Sequence, residues 1–214
     1  MSSGFDVSWD RFYKNNTGGL YPNAETVRWV ARNYYGVPFE QRKLIRFLDL
    51  GCGGGAVSWY LAREGFNVFG VDGSSIAVKR LSKRFEDEKL NGCFRVCDFT
   101  KNISFDDGVF DVVMDVTSIQ QNTKADARKA VKEVFRVLRY GGRFFSIIMS
   151  DETVLVEGEN VSEKGTLSKY SKDDVLELFG CFNDLVVEKK LRTDNNSVIV
   201  NWIVSGVKLQ RWKK

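Results

Sequence analysis

The stretch Phe47-Leu48-Asp49-Leu50-Gly51-Cys52-Gly53-Gly54-Gly55 decides the fold of this 214-residue chain. Its first four residues form a short, mostly apolar segment that is typical of a buried β-strand, and the glycines that follow favour a tight turn. Residues 56–64 then have the composition of a helix, which Gly65 ends. A strand, a glycine turn and a helix in this order predict the first unit of an α/β fold.

The same alternation of strand and helix continues to about residue 150. Further apolar strands and the helices between them are predicted at 67–71, 74–88, 94–96, 109–114, 126–138 and 143–148. Because the strands are continuous apolar runs, they indicate a parallel sheet that is covered on both faces. We therefore predict an α/β chain with a Rossmann-like, doubly wound sheet.

The flanking residues are expected to complete a single domain over residues 1–214. Its segments are an irregular arm and a helix at 1–44, the core at 45–150, a lid at 150–172, and a helix and hairpin at 173–214. Two β-branched runs at 184–192 and 197–209, joined by Thr193-Asp194-Asn195-Asn196, predict that antiparallel hairpin. The sheet is therefore expected to have seven strands, mostly parallel, with an antiparallel C-terminal edge.

The composition excludes several classes of function. The chain has no histidine, which excludes a Ser-His-Asp triad, a Cys-His dyad and zinc held by histidine. The net charge of +4 is far from that of a basic nucleic-acid binder. The four cysteines lack the spacing of a zinc site or a disulfide framework, and indicate reduced thiols in a cytoplasmic protein. No apolar run approaches the roughly 18–20 residues of a membrane span, and no signal peptide is expected.

Acidic residues mark the first four predicted strands. Asp49 lies inside the first strand, and Asp72, Asp98 and Asp115 end the next three. Ligands of open α/β sheets bind at the carboxyl ends of the strands, so these carboxylates are expected to surround one pocket.

The glycine turn alone does not distinguish a dinucleotide from a ligand that has a ribose but no phosphate. The pattern Gly51-x-Gly53-x-x-Ala56, with Asp72 placed 21 residues after Gly51, also fits a dinucleotide. A carboxylate at Asp49 would repel a pyrophosphate, however, and no Lys-Ser or Lys-Thr pair follows the glycines to bind a phosphate. A ligand with an amine, a sulfonium and a ribose but no phosphate fits best.

Five segments of the chain, taken in order, match a known set of motifs. They are residues 47–55, Phe69-Gly70-Val71-Asp72-Gly73-Ser74-Ser75, Cys97-Asp98-Phe99-Thr100, residues 110–115 and residues 137–144. This set resembles class I S-adenosylmethionine-dependent methyltransferases, of the small ubiquinone- and menaquinone-biosynthesis-like type. Tyr140 stands where the family usually has proline. The resemblance covers residues 45–150 and implies S-adenosylmethionine as the cofactor.

The resemblance also implies a role for each matching residue. Asp49 and the backbone at Gly51, Cys52 and Gly53 would hold the methionine part of the cofactor. Asp72 would accept both ribose hydroxyls, with Gly73 and Ser74 beside the adenosine. Asp98 would accept from the adenine amino group, and the Phe99 N–H would donate to a ring nitrogen. Asp115 and Val116 would lie beneath the sulfonium, and Tyr13 of the arm is expected to close over the cofactor.

The acceptor is expected to be a small polar metabolite or a sugar-like molecule that is methylated on oxygen or nitrogen. Asp115 is the first candidate for a general base, and Tyr21, Gln120 and Gln121 are expected to bind the acceptor. An amine or an easily ionised hydroxyl is favoured because the chain has no histidine base. No metal, membrane or nucleic-acid partner is expected, and the oligomeric state is open. Two alternatives stay open: methylation of protein or RNA, and a non-catalytic S-adenosylmethionine-binding scaffold.

Overall fold

The computed structural model describes residues 5–155, 165–194, 197–209 and 212. The described residues form one seven-stranded sheet in the order β3-β2-β1-β4-β5-β7-β6. The strands are β1 (Arg46–Leu50), β2 (Asn67–Asp72), β3 (Cys93–Val96), β4 (Phe110–Val116), β5 (Leu138–Met149), β6 (Asn183–Asp194) and β7 (Ser197–Val207). The helices are α1 (Ser8–Asn15), α2 (Ala24–Tyr34), α3 (Ala56–Arg63), α4 (Ser75–Asp87), α5 (Lys124–Val137) and α6 (Lys172–Phe179). The predicted fold class is confirmed.

The order of the strands reverses beside β1, which pairs in parallel with both β2 and β4. Leu50, the last residue of β1, lies opposite Val71 on one side and Asp115 on the other. The carboxyl ends of the three strands therefore lie side by side, and the reversal opens a crevice above them. At the far edge, β7 runs antiparallel to both β5 and β6, as the hairpin prediction requires.

Both faces of the central strand are buried. Leu48 and Leu50 belong to the cluster under α5 and α6, whereas Phe47 belongs to the cluster under α2 and α3. Successive residues of a strand point to opposite faces, so one apolar run can anchor both layers of helices. This burial fixes the position of the glycine turn that follows β1.

The arm is not irregular, as the sequence predicts, but contains helix α1. The Asp6 carboxylate accepts a hydrogen bond from the Ser8 N–H, 2.9 Å away, and so satisfies one of the free donors at the start of that helix. Trp9, Phe12 and Tyr13 then form a cluster of ring contacts along the helix. These contacts hold together a segment that lacks a regular apolar period.

Two other segments differ from their predictions or are partly undescribed. Tyr140-Gly141-Gly142 is predicted as a turn but lies within β5, because the Gly141 N–H and the Gly142 carbonyl pair with Lys208 beyond the end of β7. The predicted lid at 150–172 includes residues 156–164, which lie outside the described residues. Its described part is joined to the sheet where Ser150 pairs with Tyr170 and Val154 with Val198.

We expect Phe47→Ala to lower the free energy of unfolding by about 3–5 kcal/mol, because it would leave a cavity in the core. Phe47 is fully buried, and its ring centroid lies 4.7 Å from that of Phe66 and 5.2 Å from that of Tyr34. Urea unfolding measures the loss. As a control, Tyr140→Ala at a 70% exposed position should change stability by less than about 0.5 kcal/mol. Equal effects of the two substitutions would contradict this description of the core.

Candidate active site

A cavity of about 320 Å³ lies at the carboxyl ends of β1, β2 and β4, in the crevice made by the strand reversal. Its walls come from three parts of the chain: the N-terminal arm, the strand-end turns, and the loop after β4. The lining residues are Phe5, Asp6, Trp9, Phe12, Tyr13, Gly18, Gly19, Gly51, Asp72, Gly73, Cys97, Asp98, Phe99, Thr100, Val116, Thr117, Ser118, Gln121 and Asn122. The volume falls within the range of small-molecule sites.

The turn after β1 needs glycine for two separate reasons. Gly51, Gly53 and Gly55 have φ values of 69°, 47° and 84°, a region that side chains disfavour. A β-carbon on Gly51 would collide with Ser118, and one on Gly53 would collide with the Tyr13 hydroxyl. Because Gly51 and Gly53 carry no side chain, the β4 loop and the arm can pack directly against the backbone of the turn.

Asp49 supports this turn from below. Its carboxylate is buried and accepts hydrogen bonds from the Ser58 N–H at 3.0 Å and the Ser58 Oγ–H at 2.6 Å. Burial raises the pKa of Asp49 to about 7, although the hydrogen bonds from Ser58 oppose the shift. Asp49 is not among the lining residues, so it acts on the cavity through the first turn of α3.

Asp72 lines the cavity and keeps hydrogen-bonding capacity for a ligand. Its Oδ2 accepts from the Gly53 N–H at 2.9 Å, and its Oδ1 accepts from the Ser74 N–H at 2.8 Å. A carboxylate can accept about four hydrogen bonds in all, so two hydroxyls of a ribose fit the remaining positions. Burial raises its pKa, and the hydrogen bonds from Ser74 and Gly53 oppose that shift.

Asp98 also lines the cavity, but its carboxylate is fully engaged. Oδ1 accepts from the Thr100 N–H at 3.1 Å and the Thr100 Oγ1–H at 2.6 Å. Oδ2 accepts from the Phe5 N–H at 3.0 Å and forms an ion pair with the Lys101 ammonium at 3.1 Å. Partial burial alone would raise its pKa, but the donors from Thr100, Phe5 and Lys101 outweigh it and lower the pKa.

Asp115 has a different position from the one its predicted role requires. It is fully buried and is not among the lining residues. Its Oδ1 accepts from the Ser118 and Ile119 N–H groups at 2.8 and 3.0 Å, and its Oδ2 accepts from the Ser146 Oγ–H at 2.6 Å. Because these bonds hold the carboxylate inside the β4 loop, the geometry favours a positioning residue over a general base. Burial raises its pKa to about 6.

The loop that Asp115 holds forms one wall of the cavity. Thr117 has a φ of 67°, which is unusual for a β-branched residue. This conformation brings Ser118 over the glycine turn, where its Oγ–H donates to the Gly51 carbonyl at 3.1 Å. The buried carboxylate thus fixes the distance between the β1 turn and the β4 loop.

The other predicted residues divide between the cavity wall and the protein interior. Tyr13, Gly51, Gly73, Phe99, Val116 and Gln121 line the cavity, whereas Cys52, Gly53, Ser74, Gln120 and Tyr21 do not. Gln120 is buried, and its Oε1 accepts from the Met149 N–H at 2.6 Å. Tyr21 is 72% exposed and packs edge-on against Trp59, 5.4 Å away. The expectation that Gln120 and Tyr21 touch the acceptor therefore lacks a geometric basis.

Sequence reasoning missed several lining residues. Phe5, Asp6, Trp9 and Phe12 reach the cavity because the arm folds back over the strand ends. The cluster of aromatic residues near the N-terminus is the one signal that could have indicated them. Thr117 and Ser118 precede Gln120 and Gln121 in the loop after β4 but carry no distinctive motif.

Two features are absent from the part of the chain that the structure describes. Within it, no group of three or more acidic or cysteine side chains is arranged to hold a metal ion. Within the same residues, no helix is both long enough and apolar enough to cross a membrane.

We expect Asp115→Asn to fold, because an amide oxygen can still accept from the loop and the amide nitrogen can donate to Ser146. In the parent protein, the folded state binds a proton near pH 6 that the unfolded state binds only near pH 4. Stability from this group is therefore lost as the pH rises through 6. Relative to the parent, Asp115→Asn should gain about 1 kcal/mol between pH 5 and pH 8, measured by urea unfolding at both pH values. If the difference in the free energy of unfolding between Asp115→Asn and the parent is the same at pH 5 and pH 8, Asp115 does not have the raised pKa that its burial implies.

The same variant separates the two roles of Asp115 in turnover. If Asp115 only positions the loop, its replacement by the isosteric Asn should lower turnover by less than about tenfold. Loss of a general base would lower turnover by roughly 10²- to 10⁴-fold. We expect the smaller loss. Ser146→Ala, which removes a partner of the same carboxylate, is the matched control and should give a loss of similar size.

A family model described as a methyltransferase domain matches residues 47–142. The match begins in β1 and ends in β5, so it contains the glycine turn and the acids at the ends of β2, β3 and β4.

Two relatives align with about half of the chain. The eEF1A lysine and N-terminal methyltransferase of Xenopus laevis is 31% identical over 114 residues, which are 50% of this chain and 16% of that protein. The ubiquinone biosynthesis O-methyltransferase of Parvibaculum lavamentivorans is 32% identical over 108 residues, which are 50% of this chain and 40% of that protein. The aligned part of the chain spans less than half of the length of either relative.

A solved structure resembles nearly the whole chain. Phosphoethanolamine N-methyltransferase 2 of Haemonchus contortus, in complex with phosphomonomethylethanolamine and S-adenosylhomocysteine, superposes with a TM-score of 0.71 at 21% identity. The superposition covers 95% of this chain and 57% of that chain, and it shows a shared fold. The family match therefore identifies residues 47–142, which carry the strand-end motifs, as a methyltransferase domain, and the superposition shows that the shared fold extends over nearly the whole chain.

Proposed function

We propose that this protein transfers a methyl group from S-adenosylmethionine to an oxygen or nitrogen of a small polar metabolite or sugar-like acceptor. The observation that supports the proposal is the cavity at the carboxyl ends of β1, β2 and β4. Asp72, Asp98 and the glycine turn line it, together with residues of the N-terminal arm. The bound cofactor supplies a methyl group that the adjacent sulfonium has already activated. The chain's own residues must hold and orient the two reactants and keep water away.

We assign the binding of the cofactor to two acids and one turn. Asp72 has room for the ribose hydroxyls, Asp98 lies where the adenine amino group is expected, and Gly51 brings backbone close to the methionine part. The aromatic side chains of Trp9, Phe12 and Tyr13 give the cavity faces that attract a cation. This combination of anionic and aromatic groups suits a ligand that carries a sulfonium and an amine.

Alignment is proposed as the main source of rate acceleration. Asp115 is held inside the protein, and burial raises the pKa of the Tyr13 phenol well above its ordinary value. Neither group is therefore ready to remove a proton from the acceptor at neutral pH. Holding reactants at near-attack distance can lower a barrier by roughly 7–11 kcal/mol in well-oriented systems. For an amine or an easily ionised hydroxyl, this alignment is sufficient without a strong general base.

The charge of the cavity favours an acceptor that carries no fixed anionic group. Asp6, Asp72 and Asp98 line it, and the described lining residues include no lysine or arginine. A phosphate or carboxylate on the acceptor would meet a field of its own sign. Cytoplasmic residence, which the number and spacing of the four cysteines suit, remains part of this proposal.

A second candidate is methylation of a protein. It is favoured by the similarity to the Xenopus laevis enzyme, whose name specifies lysine and N-terminal amines. Such amines also suit an acidic cavity without a base. The closed arm argues for the smaller acceptor, because a polypeptide would need an open channel to the sulfonium.

A labelling experiment separates these candidates. The purified chain is incubated with methyl-labelled S-adenosylmethionine and, separately, with the small-molecule and the protein fractions of a cell extract. We expect label in the small-molecule fraction. Label in the protein fraction would support the second candidate, and binding of S-adenosylhomocysteine without label in either fraction would contradict both.

We expect Asp72→Ala to weaken the binding of S-adenosylhomocysteine by roughly 10- to 100-fold, the size of one or two hydrogen bonds to a charged acceptor. The substitution also frees the Gly53 N–H, and so loosens the glycine turn. Titration calorimetry measures the change. Asp87→Ala on α4 is the control, because its carboxylate is 58% exposed and pairs with Lys83 on the surface. Unchanged affinity in Asp72→Ala would refute the assigned ribose contact.

A further inference from the structure

The backbone of the N-terminal arm is bonded to a carboxylate that the cofactor is expected to use. The Phe5 N–H donates to Asp98 Oδ2 at 3.0 Å across 93 residues of sequence. The Phe5 ring lies on Gly73 so closely that a β-carbon there would collide with it. Asp98 is assigned to the adenine amino group and Gly73 is expected beside the adenosine, so the arm occupies both positions.

The Asp98 carboxylate already accepts from several donors of the protein and has little capacity for a further one. Its two oxygens already accept from Thr100, through both the N–H and the hydroxyl, and from Phe5 and Lys101. Since a carboxylate offers about four acceptor positions, an adenine amino group can bind only when one of these donors leaves. Asp72 differs, because its two internal bonds leave positions for a ribose.

The direction of approach identifies which donor has to leave. Lys101 is 68% exposed and is not a lining residue, whereas Phe5 lines the cavity. Thr100 is in the same turn as Asp98 and is bonded through both its backbone and its side chain. An amino group arriving through the cavity therefore meets Phe5 first.

The rest of the arm is fastened independently of this contact. Arg80 of α4 donates to the Asn16 and Lys14 carbonyls at 2.6 and 3.1 Å. Arg84 donates to the Leu20 carbonyl at 3.1 Å, and Asp10 binds the Ser74 hydroxyl at 2.5 Å. The segment around Phe5 can thus leave Asp98 while residues 10–20 stay attached.

From these contacts we propose that Phe5 is an internal competitor of the cofactor: its backbone N–H and ring hold the adenine subsite until the adenine amino group displaces them from Asp98 and Gly73. The arm thereby closes the nucleoside half of the cavity when the cofactor is absent. This inference rests on the proposed adenine role of Asp98, but not on any identity of the acceptor.

Hydrogen exchange of the full chain tests the direction of the effect. A lid that simply folds over the cofactor becomes better protected when the cofactor binds. A competitor becomes less protected, so we expect the amide of Phe5 to exchange faster in the presence of saturating S-adenosylhomocysteine, while amides in the glycine turn exchange more slowly. Slower exchange at Phe5 on binding would overturn the proposal. Absence of any protection in the glycine turn would instead count against the cofactor site itself.

Two substitutions at one position separate the N–H from the ring. Phe5→Pro removes the donor and the ring, whereas Phe5→Ala removes the ring and keeps the donor. We expect Phe5→Pro to bind S-adenosylhomocysteine roughly five- to twentyfold more tightly than the parent, the size of one hydrogen bond to a charged group, with a smaller gain for Phe5→Ala. Equal or weaker binding by Phe5→Pro would overturn the proposal.

A double-mutant cycle guards against an indirect effect of proline on the arm. In an Asp98→Ala background neither the arm N–H nor the adenine has a side-chain acceptor at this position, so Phe5→Pro should change the affinity only by the small gain that loss of the ring gives in Phe5→Ala. Thermal unfolding of each variant checks that the domain is intact. The same fivefold or larger gain in both backgrounds would show that the arm acts elsewhere than at Asp98, and would also overturn the proposal.

Discussion

The glycine turn at the end of β1 is the constraint on which the rest of the site depends. Gly51 and Gly53 adopt positive φ values, and their α-carbons are in contact with Ser118 from one side and Tyr13 from the other. Any side chain there would push the β4 loop or the arm away and open the cavity. The turn stays in place because β1 is buried on both faces, with Phe47 under one layer of helices and Leu48 under the other. Packing far from the cavity thus determines how closely a ligand can approach the backbone.

The four acids at the strand ends have the same origin in the sequence but different tasks in the structure. Asp49 and Asp115 are fully enclosed, and their hydrogen bonds go to the protein's own turns. Asp72 and Asp98 reach the cavity. Asp49 and Asp115 hold the walls through these bonds, whereas Asp72 and Asp98 supply acceptors for a ligand.

The sequence was sufficient for the order of strands and helices and for the residues of the glycine turn, because these depend on local apolar runs and on backbone conformation. It was insufficient wherever a contact joined distant segments. The burial of Asp115 depends on Ser146 of the neighbouring strand, and the buried position of the Gln120 side chain depends on the backbone N–H of Met149. Helix α1 and the contact of Phe5 with Asp98 depend on tertiary packing across the whole domain. The sequence predicts that Tyr21 binds the acceptor, yet its ring packs against Trp59 and lies outside the cavity wall.

In the proposed function, one cavity holds S-adenosylmethionine through Asp72 and Asp98 under a displaced arm. A crystal structure with S-adenosylhomocysteine tests this claim most directly. We expect the ribose hydroxyls on the Asp72 carboxylate, the adenine amino group on Asp98 Oδ2, and the Phe5 N–H beyond hydrogen-bonding distance of that oxygen. A cofactor bound elsewhere, or bound in this cavity with the bond between Phe5 and Asp98 intact, would contradict it.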